Sequence, residues 1–230
     1  MRLLSGLPPE LWEVLWLSVR LASVVTLLLL LVSVPLAWGL SRRRWRGMIV
    51  LETMVSLPIV LPPTVIGFYL LILFSPQQPL GKFWLQLTGR TLTFTFEGLV
   101  IGSIIYSLPY AVQPILNAFK SVPPELLDAA RTLGASGWQA FRHVTLPLSR
   151  RGLGVAAVLG FAHTLGEFGV VVMLGGSIPG KTKVASIALY DEVQKLNYDT
   201  AHQYALILLV TSFVMLLTMT VMQRKMDEDG

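Results

Sequence analysis

The chain has 230 residues, of which 53% are hydrophobic and only 13% charged, and its mean hydropathy is positive, a balance that excludes an ordinary water-soluble domain. A formal charge of +5 would point to nucleic acid in a soluble protein, but here the basic residues flank apolar runs and report membrane topology, so a lipid bilayer is the expected partner and nucleic acid is not. Cysteine is absent, which excludes disulfides, iron–sulfur clusters and thiolate sites; His143, His163 and His202 form no metal-ligand spacing, and no metal or cofactor is expected.

Several apolar runs of about 20 residues or more are long enough to cross a hydrocarbon core of roughly 30 Å as helix. Five spans are predicted in one all-α membrane domain, over about 11–40, 48–74, 97–119, 152–174 and 201–222. Only Arg2 precedes the first run while Arg42, Arg43, Arg44 and Arg46 follow it, so it reads as a retained helix and not as a cleaved signal. Arg20 puts the beginning of that run in the outer interface. Loops predicted inside carry the arginine cluster, then Lys120, Arg131, Arg142, Arg150 and Arg151, then Arg224 and Lys225. Those outside carry Arg2, Lys82, Arg90, Lys181, Lys183 and Lys195. The asymmetry puts the N-terminus outside and the C-terminus in the cytoplasm. Trp12, Trp16, Trp38, Trp45 and Trp84 fall near span ends and are expected as interfacial anchors.

In the second span, Pro58, Pro62 and Pro63 each remove a backbone donor, so the helix must bend and its freed carbonyls need partners other than lipid. A broken helix facing a polar pathway meets that need, and so does a kink satisfied by neighbouring helices. Two loops exceed the usual length of a helix connection and are expected to carry structure: about 30 residues inside, from Lys120 to Arg151, and an outer one from Gly175 to Thr200.

The inner loop contains a coupling segment, 121–147. Pro123 and Pro124, then Glu125 and Asp128 in the first turns, and Gly134 at the end delimit a short helix. Leu126, Leu127, Ala130 and Leu133 give it an apolar face, and Asp128 can pair with Arg131 across one turn. A second short helix carrying Trp138 and Phe141 can follow. From these signals the piece fits either a groove on another protein or the membrane surface.

The spacing Asp128-Ala129-Ala130, three residues, Gly134, nine residues, Val144, then Leu146-Pro147 resembles the signature of binding-protein-dependent importer permeases, Glu-Ala-Ala-x3-Gly-x9-Ile-x-Leu-Pro, with Asp for Glu and Val for Ile. Leu57 to Phe68, and Leu165-Gly166-Glu167-Phe168-Gly169 with Ser177-Ile178-Pro179-Gly180, resemble molybdate permeases in particular; the second piece is shared with sulfate permeases. The resemblance implies an all-α importer permease of about five to six transmembrane helices, without ATPase activity of its own. It further implies a coupling helix, with Ala129, Ala130 and Gly134 docking into a cytoplasmic ATP-binding cassette dimer, and molybdate as cargo, with sulfate or tungstate as alternatives. An extracytoplasmic oxyanion-binding protein would deliver the cargo.

Glu167 lies about 20 Å along the fourth span at 1.5 Å per residue, a costly depth for a carboxylate. A dianionic cargo would be repelled by it, so its expected role is to accept backbone amides near the Gly166 and Gly169 break or to form half of a gate. The pathway or gate residues are then Pro58, Pro62, Pro63, Thr64, Gly67, Thr164, Gly166, Glu167 and Gly169. Five helices rarely enclose a pathway, so a second copy of the chain is expected as partner, with the second and fourth spans near a two-fold axis. Two other classes leave traces. Gly175 to Thr182 fits the phosphate-binding pattern G-x-x-x-x-G-K-[ST], with Val170 to Leu174 resembling the preceding strand. Gly134-Ala135-Ser136-Gly137 resembles the motif of rhomboid intramembrane serine proteases, with His163 and His202 downstream.

Overall fold

The computed structural model describes residues 10–42 and 46–228. Arg2, Arg43, Arg44 and Trp45 lie outside the described residues, as do the side chains of Arg46 and Lys225. All regular structure among the described residues is helical.

The centre is a three-helix core of α1 (Leu11–Arg42), α5 (Phe96–Lys120) and α9 (Arg150–Gly166). Leu17, Leu21, Val25 and Leu29 recur every fourth residue on α1, and this stripe is buried. The helix α5 is buried along most of its length, through Leu99, Val112, Ile115 and Leu116. Thr95 caps it by accepting the Gly98 amide at 3.2 Å. On the flank, α12 (Tyr198–Glu228) packs on α9 and on α11 (Ala185–Gln194) and exposes Leu209, Phe213 and Leu217.

Proline chemistry turns the second expected span much further than a kink. The helix α2 (Arg46–Ser56) runs into a 3-10 turn, Leu57–Ile59, and the chain resumes as α3 (Pro63–Leu73) with the two axes 109° apart. Pro62 sits at φ −55°, ψ 134°, because the ring of Pro63 excludes the helical region for the residue before it; Pro63 then opens α3, where a missing N–H leaves nothing unpaired. The fourth expected span also breaks: α9 meets α10 (Gly169–Gly175) at 58°, across an extended Glu167. Three of the described helices are long and apolar enough to cross a bilayer, and the two bent pairs bring the crossings to five if each pair is one span.

Both long loops carry structure. Residues 120–151 form α6 (Pro124–Thr132), α7 (Gly137–Ala140), a π turn at Phe141–Thr145 and α8 (Leu146–Leu148). Residues 175–200 contain α11, whose Ala185, Ile187 and Ala188 are buried. It is fixed to α1 where the Ala185 amide donates to Ser18 Oγ at 2.8 Å and Lys183 pairs with Glu10 at 3.1 Å. A helix between the second and third spans, α4 (Pro79–Thr88), has no counterpart in the sequence-based expectation. It is only ten residues long, and its start at Pro79 and its end at Gly89 read equally as loop punctuation.

Candidate functional site

Two regions gather the residues singled out from the sequence, one at the end of the bundle that carries α6 and one at the two helix breaks.

No residue of α6 is buried. Its end is fixed by a Schellman motif: the Ala135 amide donates to Ala130 O at 3.0 Å and the Gly134 amide to Arg131 O at 2.9 Å. Gly134 has φ +86°, a backbone state that a side chain disfavours. Asp128 and Arg131 pair at 2.8 Å, the one-turn pairing expected from their spacing. Glu125 stands exposed in the first turn, Ala129 is exposed beside a half-buried Ala130, and Leu126 and Leu133 present apolar surface, Leu133 at 88% exposure. The helix is therefore a small, sharply ended projection with a low, partly apolar face.

Behind it lies an aromatic cluster. Phe141 packs on Trp38 of α1 with ring centroids 4.7 Å apart, on Trp138 at 5.4 Å and on Phe119 of α5 at 5.7 Å. Trp38 is thus a packing residue here, which corrects its expected place as an interfacial anchor; Trp12 and Trp16 remain highly exposed. Leu146 packs on the same core, Pro147 is exposed in the first turn of α8, and Ser149 donates to Ala118 O at 3.2 Å. The segment that follows α6 is thus packed directly on α1 and α5. Replacing Phe141 by Ala is expected to cost about 3–5 kcal/mol, read as a lowered thermal midpoint of the detergent-solubilised protein.

At the breaks, α3 crosses α10 with almost no space between the backbones. A Cβ on Gly169 would stand 2.7 Å from Pro63 Cβ, and one on Gly67 would stand 2.7 Å from Met173 Cβ. Beside this crossing is a cavity of about 460 Å³ bordered by Pro63, Thr64, Gly166, Glu167 and Gly169 together with Tyr106 and His163. Gly67 and Thr164 are buried next to it, whereas Pro58 is buried within the 3-10 turn and Pro62 lies exposed at the bend; these last two shape the break without lining the cavity.

Glu167 is 4% exposed. Its backbone is held, with its amide donating to Thr164 O at 3.3 Å and its carbonyl accepting from Ser186 Oγ at 2.6 Å. Both carboxyl oxygens are buried and no backbone amide among the described residues donates to them, the neighbouring side-chain donor being Ser103 of α5, so the expected role as an acceptor of backbone amides is not what the structure shows. Sequence reasoning also missed the contribution of α5. Ser107 Oγ lies 2.9 Å from His163 Nδ1 and 3.2 Å from Thr164 Oγ1, and the His163 ring stacks on Tyr110 at 3.8 Å, with Tyr106 at 4.8 Å. The available signal was the four-residue spacing of Ser103 with Ser107 and of Tyr106 with Tyr110 on an otherwise apolar helix.

A family model for the inner membrane component of binding-protein-dependent transport systems matches residues 20–228. The chain belongs to this family. Among its relatives, the molybdenum transport system permease protein ModB of Azotobacter vinelandii is 48% identical over 200 residues, 87% of this chain and 88% of that one. ModB of Escherichia coli K12 is 37% identical over 81% of each chain, and the sulfate transport system permease protein CysT of the same organism is 33% identical over 83% of this chain and 68% of its own. Among solved structures, a bacterial ABC transporter involved in alginate import matches with a TM-score of 0.78 at 21% identity, over 95% of this chain and 80% of that one. The MetNI methionine ABC transporter matches at 0.74 and 15%, over 96% and 99%. At those identities the likeness shows the fold, that of an importer's membrane component.

The two motif look-alikes have structural explanations. Val170 to Leu174 is helical, not a strand, and the Gly175–Thr182 loop closes on itself through Thr182 Oγ1 donating to Gly175 O at 2.7 Å. Ser136 is the N-cap of α7 in a capping box with Gln139, and His163 is bonded to Ser107. Ser136→Ala is expected to loosen α7 by about 1 kcal/mol and to leave transport intact in an uptake assay; complete loss of transport would restore a chemical role for the hydroxyl.

Proposed function

We propose that this chain is the membrane-spanning permease subunit of an ATP-binding cassette importer for molybdate. The observation that carries the coupling half of this reading is α6: a helix with no buried residue, ended by a positive-φ glycine and backed by aromatic rings on α1 and α5. In this reading α6, through Glu125, Asp128, Ala129, Ala130, Arg131 and Gly134, enters a cleft of the cytoplasmic cassette, and Leu146 and Pro147 hold the base of the projection. ATP hydrolysis belongs to the cassette. The N-terminus lies outside and the C-terminus in the cytoplasm, a reading supported by the charge asymmetry.

A two-fold dimer of the chain supplies the pathway, with α3 and α10 near the axis and cargo passing between the copies. The exposed apolar faces of α3 and α12, including Phe68, Ile72, Leu209 and Phe213, are divided between that contact and lipid. Cassette closure draws the two α6 helices together, and the aromatic cluster passes the movement to α1 and α5, so that the pathway alternates between its two openings. The break cavity is the gate. Glu167 repels a dianion at close range and so acts on the gate and not as a cargo ligand. An extracytoplasmic oxyanion-binding protein delivers the cargo.

Molybdate is favoured by the 48% identity to a molybdenum permease over most of both chains, and sulfate by the 33% identity to a sulfate permease. Uptake of labelled molybdate into proteoliposomes containing the permease, its cassette and its binding protein tests the choice. Molybdate uptake that excess sulfate leaves unchanged is expected; uptake of sulfate in preference would reverse the assignment.

A further inference from the structure

At the opposite end of the bundle from α6 is a recess of about 700 Å³, within the size range of small-molecule sites. Four segments wall it: α1, α4, the turn from Arg90 into α5, and the loop after α10. Three cations line it, Arg20, Arg90 and Lys181, against the carboxylate of Glu97, with a second carboxylate, Glu13, beside Gly180 at its edge. None of the three cations is in an ion pair among the described residues, although other exposed cations are paired, Lys120 with Glu52 and Lys195 with Glu192.

All three cationic residues are exposed; a ring contact places the Arg20 side chain, and local turns fix the backbone from which Arg90 and Lys181 extend. The Arg20 guanidinium lies over the Phe96 ring at 4.6 Å, a cation–π contact that satisfies the face of the group and leaves its edge N–H donors free. Arg90 follows Gly89, which ends α4 in the left-handed conformation, and its amide donates to Thr88 Oγ1 at 3.3 Å. Lys181 follows Gly180 in a turn where the Lys181 amide donates to Ile178 O at 3.1 Å. Like charges lining one recess repel one another, and an anion bound there offsets that repulsion. Guanidinium groups bind tetrahedral oxyanions through paired N–H donors. The remaining wall is mixed: Thr88, Thr91 and Thr95 offer hydroxyls to an oxyanion, and Leu17, Trp84 and Phe94 form an apolar side that accepts the uncharged part of a larger molecule.

We propose that this recess binds a tetrahedral oxyanion through Arg20, Arg90 and Lys181, presented either as the phosphate of an anionic outer-leaflet phospholipid or as free oxyanion arriving at the outer face. The site is separate from the break cavity, and it rests on the proposed function only for the statement that this face is the outer one.

The test compares the wild-type permease, purified with its cassette, with a variant carrying Arg20→Gln, Arg90→Gln and Lys181→Gln. Native mass spectrometry after exchange into phosphatidylglycerol or phosphatidylcholine reads the lipid arm, and equilibrium binding of labelled molybdate in lipid-free detergent reads the free-ion arm. Retention of phosphatidylglycerol over phosphatidylcholine, lowered at least tenfold in the variant, supports the site with lipid as the source. Molybdate binding lost in the variant supports it with the free ion as the source. Equal lipid retention together with equal molybdate binding by the two proteins overturns the proposal. Lys181→Arg, which keeps the charge, is expected to bind as wild type while Lys181→Gln binds less; this pair guards against misfolding of the triple variant. Failure of the cassette to co-purify in every sample would count against the transport reading and leaves the anion comparison readable.

Discussion

Gly134→Arg is expected to abolish ATP-driven uptake while the protein still inserts and folds. The Schellman turn holds residue 134 at φ +86°, and any L side chain there costs about 1–2 kcal/mol of local strain. No atom lies near the position where a Cβ would be added, so the folded bundle itself does not resist the new side chain. The cost falls instead on the docking surface: a long cation is placed at the tip of α6, next to Leu133, where the proposed cleft of the cassette must close. Gly134→Ala separates the two effects, since it brings the strain with little bulk and is expected to retain a reduced but measurable rate. Cassette co-purification, ATP hydrolysis and uptake read the outcome. Normal uptake by the Gly134→Arg protein would remove α6 as the coupling element.

Glu167→Gln has the second largest expected effect, and stability and transport should respond differently. A carboxylate with both oxygens buried and no donor nearby but the Ser103 hydroxyl is expensive in the bundle interior, and the neutral isostere lowers that expense without changing shape. The thermal midpoint is therefore expected to hold or rise. If the residue is kept for gating, uptake falls at least tenfold, equivalent to about 1.4 kcal/mol in the rate-limiting barrier. Cassette hydrolysis continues, so transport and ATP use become uncoupled. Unchanged uptake with a raised midpoint would make Glu167 a purely structural feature of the break.

What was legible in the sequence and what was not divide along physical lines. Long apolar runs read directly as helices, because lipid forces a backbone to satisfy its own hydrogen bonds. The predicted runs 11–40, 97–119 and 201–222 therefore fall within single helices, Leu11–Arg42, Phe96–Lys120 and Tyr198–Glu228. Local chemistry read equally well where it acts over a few residues: Pro124 and Gly134 bound α6, and Asp128 meets Arg131 one turn on. The size of the bend at Pro62–Pro63 was not legible, because proline fixes which dihedrals are forbidden while the packing of α3 on α10 through Gly67 and Gly169 selects the angle. Trp38 was misjudged for a related reason. An aromatic at a span end has two homes, the interface or a neighbour, and only the fold brings Phe141 and Trp138 beside it. The polar contribution of α5 to the break cavity was missed because Ser107 and Tyr106 acquire meaning only from His163 and Glu167, more than fifty residues away along the chain.

The central claim is that this chain acts as a permease driven by a separate ATPase. It is tested most directly by recovering the tagged protein from gently solubilised native membranes and identifying what accompanies it. Recovery of an ATP-binding cassette subunit with two copies of the chain, lost in the Gly134→Arg protein, is the expected result. Recovery of the folded chain without any cassette would contradict it.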